Sequence, residues 1–178
     1  PDDVEALDPI RGRGEEVRES LAQLTHAGSF GKQIRTHGDF HLGQTLWAPD
    51  RNDWVIIDFE GEPSRSLAQR RRKRSPLRDV AGMLRSFAYV VSAVEILRGA
   101  AAPEGWEARA REEFLKGYFE TADAGLLPVG DTAFNRLLTV FELEKAVYEL
   151  RYELNNRPDW IHIPVAGIMR MLEATATA

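Results

Sequence analysis

The stretch "SPLRDVAGMLRSFAYVVSAVEIL", Ser75 to Leu97, constrains this fold more than any other. Apolar residues recur at Leu77, Val80, Leu84, Phe87, Val91 and Val94, a spacing that stacks side chains along one face of an α-helix. Ser75 suits the N-cap of such a helix, and Pro76 suits its first position, where a missing N–H costs nothing. A long buried helix is expected, and the rest of the chain must pack around it. With 178 residues there is enough chain for one domain or one lobe of a larger protein. Chains near that length bury roughly 70% of their extended surface.

The flanking segments divide by periodicity. "GEEVRESLAQLTHAG" places Val17, Leu21 and Leu24 at helical spacing, with acids in the first turn and Gly28 as its stop. "KQIRTHGDF" reads as a short strand, and Gln44 to Ala48 and Trp54 to Phe59 read as two more flanking the turn-forming "PDRND". Helices are expected over about Glu104 to Ala122 and Asp131 to Asn156; "NRPDW" ends the second, and a terminal helix runs through "VAGIMRMLEA". The expected architecture is one domain over residues 1–178, α+β and predominantly α, with a small β-hairpin region set into a helical body.

Composition excludes several classes. Hydrophobic residues are 43% and charged residues 29% of the chain, values of an ordinary globular domain. No apolar run approaches the ~18 residues of a membrane span. A net charge of −5 argues against a nucleic-acid-binding surface. The absence of cysteine rules out disulfides, thiolate nucleophiles and Cys-ligated zinc, and fits a cytoplasmic protein. "PDDVEALDPI" lacks both an initiator Met and the plan of a signal peptide, so the chain is expected to start inside a longer one.

Chemistry concentrates in "HGDFHLGQ", His37 to Gln44, and in "VIIDFE" one hairpin later. Asp39, an amide five residues on at Gln44, and Asp58 at the end of an apolar strand reproduce the order of base, amide ligand and metal-binding aspartate in kinases. Phosphoryl transfer needs one carboxylate to hold the acceptor hydroxyl in line and further oxygen ligands for Mg²⁺. Asp39 is the candidate for the first task, and Gln44 and Asp58 for the second. Gly38 permits a sharp bend, and His37 and His41 brace the loop or contact phosphate. Two plainer readings compete: Asp39 and Asp58 as turn formers, and His37, Asp39 and His41 as ligands of a metallohydrolase site. His26 and His162 read as structural.

"HGDFHLGQ", "IDFEGEP", "RRRKRSPLRDVAGMLRSF" and "NRPDWIHIP" together resemble the C-terminal lobe of the maltokinase family. These are aminoglycoside-phosphotransferase-like kinases, some of them fused to trehalose synthase. The resemblance runs from about Gly31 to the end, and departs from the broader kinase group in having Gln44 where Asn is usual. It implies Mg²⁺-dependent transfer of the ATP γ-phosphate to the anomeric hydroxyl of maltose, giving maltose 1-phosphate for α-glucan synthesis. It also implies an N-terminal nucleotide lobe that is absent here, so the fragment alone is expected to be inactive or nearly so. Trehalose synthase is an implied possible partner, while nucleic acid and membrane are not. The resemblance further assigns Asp79 to steadying the catalytic loop.

Sugar contacts are expected on the helix from Asp131 to Asn156, where Phe141, Glu144, Lys145, Tyr148, Tyr152 and Asn155 form a mixed aromatic and polar stripe. A packed aromatic helix with surface ion pairs explains the same stripe. Family resemblance raises Glu144, Tyr148, Arg151, Tyr152 and Trp160 as sugar-binding candidates. Glu60 and Glu62 replace the glycine found after Asp-Phe in protein kinases, and Glu60 is a candidate for touching metal or sugar. "QRRRKRS", Gln69 to Ser75, reads as a solvated loop or as a source of phosphate attraction near the cleft. Two other functions stay open: a kinase-like lobe for another small alcohol or an aminoglycoside, and a non-catalytic module attached to trehalose synthase.

Overall fold

Helices α1 (Gly14–His26), α2 (Leu67–Arg70), α3 (Leu77–Arg98), α4 (Trp106–Thr121), α5 (Asp131–Asn156) and α6 (His162–Ala176) carry most of the chain in a computed structural model. Strands β1 (Thr45–Ala48) and β2 (Asp53–Ile56) form a two-stranded antiparallel sheet. Short 3-10 turns lie at Glu5–Ile10, Leu42–Gln44, Ala124–Leu126 and Pro158–Trp160. The structure describes residues 5–26 and 31–176. Gly28, the expected stop of α1, lies outside them, as do the side chains of Leu24 and His26. The architecture is α+β and predominantly α, as expected.

The chain divides into two compact units, one of Pro1–Ser29 with Gly130–Ala178 and one of Phe30–Val129. In the first, Leu143 and Ala146 of α5 meet Ile168, Met171 and Leu172 of α6 in a buried cluster, with Val17 and Leu21 of α1 packed against it. Burying each of the larger side chains contributes about 1.5–3 kcal/mol, which is what the helical spacing of these residues is for. Glu153, 1% exposed, is neutralised by a two-pronged ion pair with Arg157 one turn later at 2.8 and 2.6 Å.

In the second unit α3 supplies the core, through Leu77, Val80, Ala81, Met83, Leu84 and Phe87. Phe87 meets Trp106 and Phe114 of α4 edge-on, with ring centroids 6.1 and 6.0 Å apart. The helix begins one residue later than the periodicity suggests: Pro76 occupies the N-cap, while the Ser75 hydroxyl still accepts from the Leu77 N–H at 3.3 Å. Its buried residues all lie between Leu77 and Phe87, so the expectation of a helix buried throughout holds only for its first half. By length and composition α3 is apolar enough to cross a membrane, with mean hydropathy 1.5 over 18 residues. Counting uninterrupted apolar residues misses this, because isolated charges break a run without lowering its mean much.

Two strand expectations are corrected. "KQIRTHGDF" is not a strand but makes a single bridge between Ile34 and Arg74, because its later N–H groups are taken by a side chain described below. The hairpin is shorter at both outer ends: Gln44 belongs to the 3-10 turn, and β2 stops at Ile56 because Asp58 has φ +60, outside the β region. The loop closes through Ala48 paired with Asp53, and Trp47 packs on Trp54 across the pair at 5.3 Å.

Close packing of α3 on the loop before β1 occurs at Gly82. A Cβ there would lie 2.5 Å from the Phe40 carbonyl oxygen, whereas one at Gly117 on α4 would meet nothing within 4 Å. The same substitution should therefore act with opposite sign at the two sites. Gly82→Ala should lower stability by about 1–3 kcal/mol through overpacking, and Gly117→Ala should raise it by about 0.5–1 kcal/mol through helix propensity. Thermal and denaturant unfolding of both variants checks this; equal effects would show that α3 and the loop are not in contact.

Tyr118 of α4 has a buried hydroxyl with no hydrogen-bond partner among the described residues. Burial first, and the Asp79 carboxylate second, push its pKa above the ordinary 10.0. A raised folded pKa means that the contribution of the neutral phenol is fully present below pH 10 and is lost as pH rises through the folded value. Tyrosinate absorbance in an alkaline titration should contain a late component that Tyr118→Phe removes. A missing component with ordinary ionisation would refute the burial.

Candidate active site

The His37 imidazole joins two segments that the sequence keeps 20 residues apart. The ring is buried, and its Nε2 lies 2.7 Å from the Ile57 carbonyl oxygen. On its other side the Asp39 N–H donates to Nδ1 at 3.3 Å. A nitrogen that accepts cannot also carry the proton, so the tautomer is neutral with hydrogen on Nε2, which donates to Ile57. Phe40 and Phe59 hold the ring with centroids 5.6 and 5.0 Å away. One side chain thus ties the backbone of Asp39 to the residue immediately before Asp58.

Asp79, in the first turn of α3, holds the same loop from below. One carboxylate oxygen accepts from the His37 N–H at 2.6 Å and the other from the Gly38 N–H at 2.9 Å. Hydrogen bonds to a charged acceptor contribute about 1.5–3 kcal/mol each. The bend needs Gly38, whose φ is +86 and whose missing Cβ would lie 3.4 Å from Gly61 Cα. Leu42 N–H donates to the Ser86 hydroxyl of α3 at 3.2 Å, fixing the far end of the loop. Neither Ser86 nor Gly82 stands out in the sequence, since one small residue in a helix carries no pattern.

His41 caps the turn that carries Gln44: its Nδ1 accepts from the Gly43 N–H at 3.1 Å. Gln44 is then locked from both ends, its carbonyl accepting from Ile57 N–H at 3.0 Å and its side-chain amide donating to Asp58 Oδ2 at 3.1 Å. Asp58 itself sits in the left-handed region, a conformation that costs a non-glycine residue about 1–3 kcal/mol and collects at functional sites. Glu62, buried, accepts from Arg65 at 2.6 Å and from the Ser64 hydroxyl, so it anchors the following loop. Glu60 is exposed and lines a cleft shared with His37 and Phe59.

The metallohydrolase reading of His37, Asp39 and His41 does not survive. Both ring nitrogens of His37 are occupied, and no group of three or more His, Cys, Asp or Glu suited to a metal occurs among the described residues. Magnesium at nucleotide sites asks for less, since one or two protein ligands share the ion with substrate phosphates and water. The exposed Asp58 carboxylate fits that requirement; Gln44 meets it through its side-chain N–H at 3.1 Å rather than through its amide oxygen.

The sugar candidates occupy the other unit. Glu144 and Tyr148 are half-buried on α5, where Lys145 Nζ lies 5.1 Å from the Tyr148 ring centre. Arg151 and Tyr152 are exposed, Trp160 is half-buried, and Phe141 is core. Arg157, which the sequence reading passed over, stacks on Tyr152 at 5.4 Å and on Trp160 at 4.6 Å. Its position between an acid four residues earlier and a tryptophan three later was the available signal. His162 has its Nδ1 3.1 Å from the Asp159 carbonyl, a local turn contact.

No family model matches the chain. It is 32% identical over 142 residues to a glucosamine kinase of Streptacidiphilus jiangxiensis, a match covering 78% of this chain and 32% of that protein. A glucosamine kinase of Mycolicibacterium smegmatis is 30% identical over 172 residues, covering 94% and 42% respectively. Among solved structures, a glucosamine kinase in crystal form A matches with TM-score 0.71 and 26% identity, over 99% of this chain and 48% of that one. A glucosamine kinase in complex with glucosamine, ADP and inorganic phosphate matches with TM-score 0.67 and 27% identity, over 96% and 45%. The chain spans less than half the length of these relatives. Its homologues bear the name of a sugar kinase, and none of these four is named a maltokinase.

Proposed function

We propose that this chain is the catalytic lobe of an ATP-dependent sugar kinase. The observation that carries the reading is the His37 bridge, which couples the backbone of Asp39 to Ile57 and so to Asp58, while Asp79 fixes the loop between them. A turn-forming pair of aspartates has no need of this arrangement, and neither does a non-catalytic module. Relatives named glucosamine kinase support the same class.

In this reading Asp39 orients the acceptor hydroxyl and takes its proton late, as a loose transition state allows. Asp58 and Gln44 would hold Mg²⁺, which when bound offsets the charge of the polyphosphate. The amide of Gln44 donates to Asp58 and keeps that carboxylate turned toward its own side chain. In this reading His37 and His41 hold the loop: His37 Nε2 donates to the Ile57 carbonyl across the hairpin, and His41 Nδ1 accepts from the Gly43 N–H. We infer further that groups outside these 178 residues complete the grip on ATP.

For the acceptor we favour maltose, phosphorylated at its anomeric hydroxyl, on the strength of "HGDFHLGQ", "IDFEGEP" and "NRPDWIHIP". Glucosamine is the second reading, favoured by the names of the relatives and by the neighbour that holds glucosamine and ADP. Glu144, Tyr148, Arg151, Tyr152 and Trp160 are the residues proposed to meet the sugar.

In a polypeptide of the relatives' length, Asp39→Asn should lower kcat by about 10²–10⁴-fold, with sugar KM nearly unchanged. Unchanged kcat would remove Asp39 from the chemistry. Initial rates with maltose and glucosamine under saturating ATP decide the acceptor; a preference for glucosamine sinks the maltose assignment but leaves the kinase. Tyr148→Phe and Glu144→Gln should each raise KM for the preferred sugar, by the roughly 0.5–1.5 kcal/mol of a lost neutral hydrogen bond or somewhat more for a charged one. An unchanged KM would place these two residues away from the sugar.

A further inference from the structure

The unit that carries Asp39 also contains a cleft of about 350 Å³ that neither Asp39 nor Asp58 lines. Three arginines line it, Arg35, Arg70 and Arg71, against a single acidic residue, Glu60. The volume falls in the range of small-molecule sites. Arg35 and Arg71 make no side-chain hydrogen bond or ion pair among the described residues. Three like charges around one cavity, with one acid to offset them, attract an anion.

Arg70 is held in place before any ligand arrives. Its Nε donates to the Arg65 carbonyl at 2.9 Å and its Nη1 to the Glu60 carbonyl at 3.4 Å. The stem of the side chain lies over Gly61, where a Cβ would come within 3.4 Å of Arg70 Cδ. The second terminal nitrogen remains for a ligand, so little ordering is needed on binding. Thr36 also lines it. Planar guanidinium forks match phosphate oxygens better than they match a single point charge.

The cleft is not lined by charge alone. Phe59 and Leu67, 61% and 58% exposed, offer an apolar surface in the same lining. Inorganic anions gain nothing from it, but the carbon portion of an ester does. We propose that this cleft binds a phosphate monoester, with Arg35, Arg70 and Arg71 on the phosphate and Phe59 and Leu67 against the organic group. The cleft shares His37, Phe59 and Glu60 with the candidate active site, but the proposal needs neither Asp39 nor Asp58 nor the ATP of the kinase reading. Within "QRRRKRS" it separates Arg70 and Arg71, which line the cleft, from Arg72 and Lys73, which are exposed and do not.

Isothermal titration of the 178-residue chain with inorganic phosphate and with phenyl phosphate, at fixed ionic strength, tests this. Phenyl phosphate should bind more tightly than inorganic phosphate, and Phe59→Ala should abolish that difference. Arg35→Gln and Arg71→Gln should each weaken both probes by about tenfold, while their unfolding temperatures stay at that of the parent. Arg51→Gln, in the hairpin turn, and Asp58→Asn should not weaken either probe. The proposal is overturned if the parent shows no saturable binding, if Arg51→Gln weakens binding as much as the cleft arginines do, or if Asp58→Asn abolishes it while the arginine variants do not.

Discussion

Everything at the candidate site depends on one neutral imidazole. His37 accepts from the Asp39 N–H and donates to the Ile57 carbonyl, so the distance between two functional loops is set by the width of a ring. A longer or more flexible side chain in that place would leave the two loops free to drift, and a small displacement of reacting groups costs far more rate than stability. The ring is buried against Phe40 and Phe59, which keeps water from competing for either bond.

The second constraint comes from α3. Its first turn presents Asp79 to two consecutive N–H groups, its third brings the Ser86 hydroxyl to Leu42, and Gly82 between them lets the Phe40 carbonyl approach closely. The half of α3 that makes these contacts is the half whose residues are buried. Core packing and loop positioning are therefore the same structural element seen from two faces. Apolar residues on one side anchor the helix, and three polar or small positions on another side convert that rigidity into a fixed candidate loop.

This explains what could be read from the sequence. The extent of α5 and the existence of α3, α4 and α6 followed from 3.6-residue periodicity, because burial of one face is what makes those helices stable. Asp39, Gln44 and Asp58 were visible because the contacts among their segments are short-range, across a single hairpin. "KQIRTHGDF" failed as a strand because its backbone donors are satisfied by Asp79, 42 and 41 residues away, and no local pattern encodes that. Asp58 likewise ends β2 by adopting a left-handed conformation that its apolar neighbours gave no reason to expect. The roles of Gly82 and Ser86 exist only in three dimensions.

The choice of sugar in the proposed function turns on a different balance. Tyr152 and Trp160 offer aromatic faces of the kind a neutral disaccharide uses, yet Arg157 already lies over both rings, held there by its ion pair with buried Glu153. A guanidinium on those faces disfavours an ammonium-bearing sugar nearby and tolerates a neutral one, which can accept hydrogen bonds from it through its hydroxyls. An aminosugar would need a carboxylate placed to offset its charge, and Glu144 is the one candidate among the proposed contacts that could supply it. Under the proposed sugar-binding role of these residues, the acceptor is set less by the shape of the aromatic surface than by whether Arg157 or Glu144 dominates the local charge.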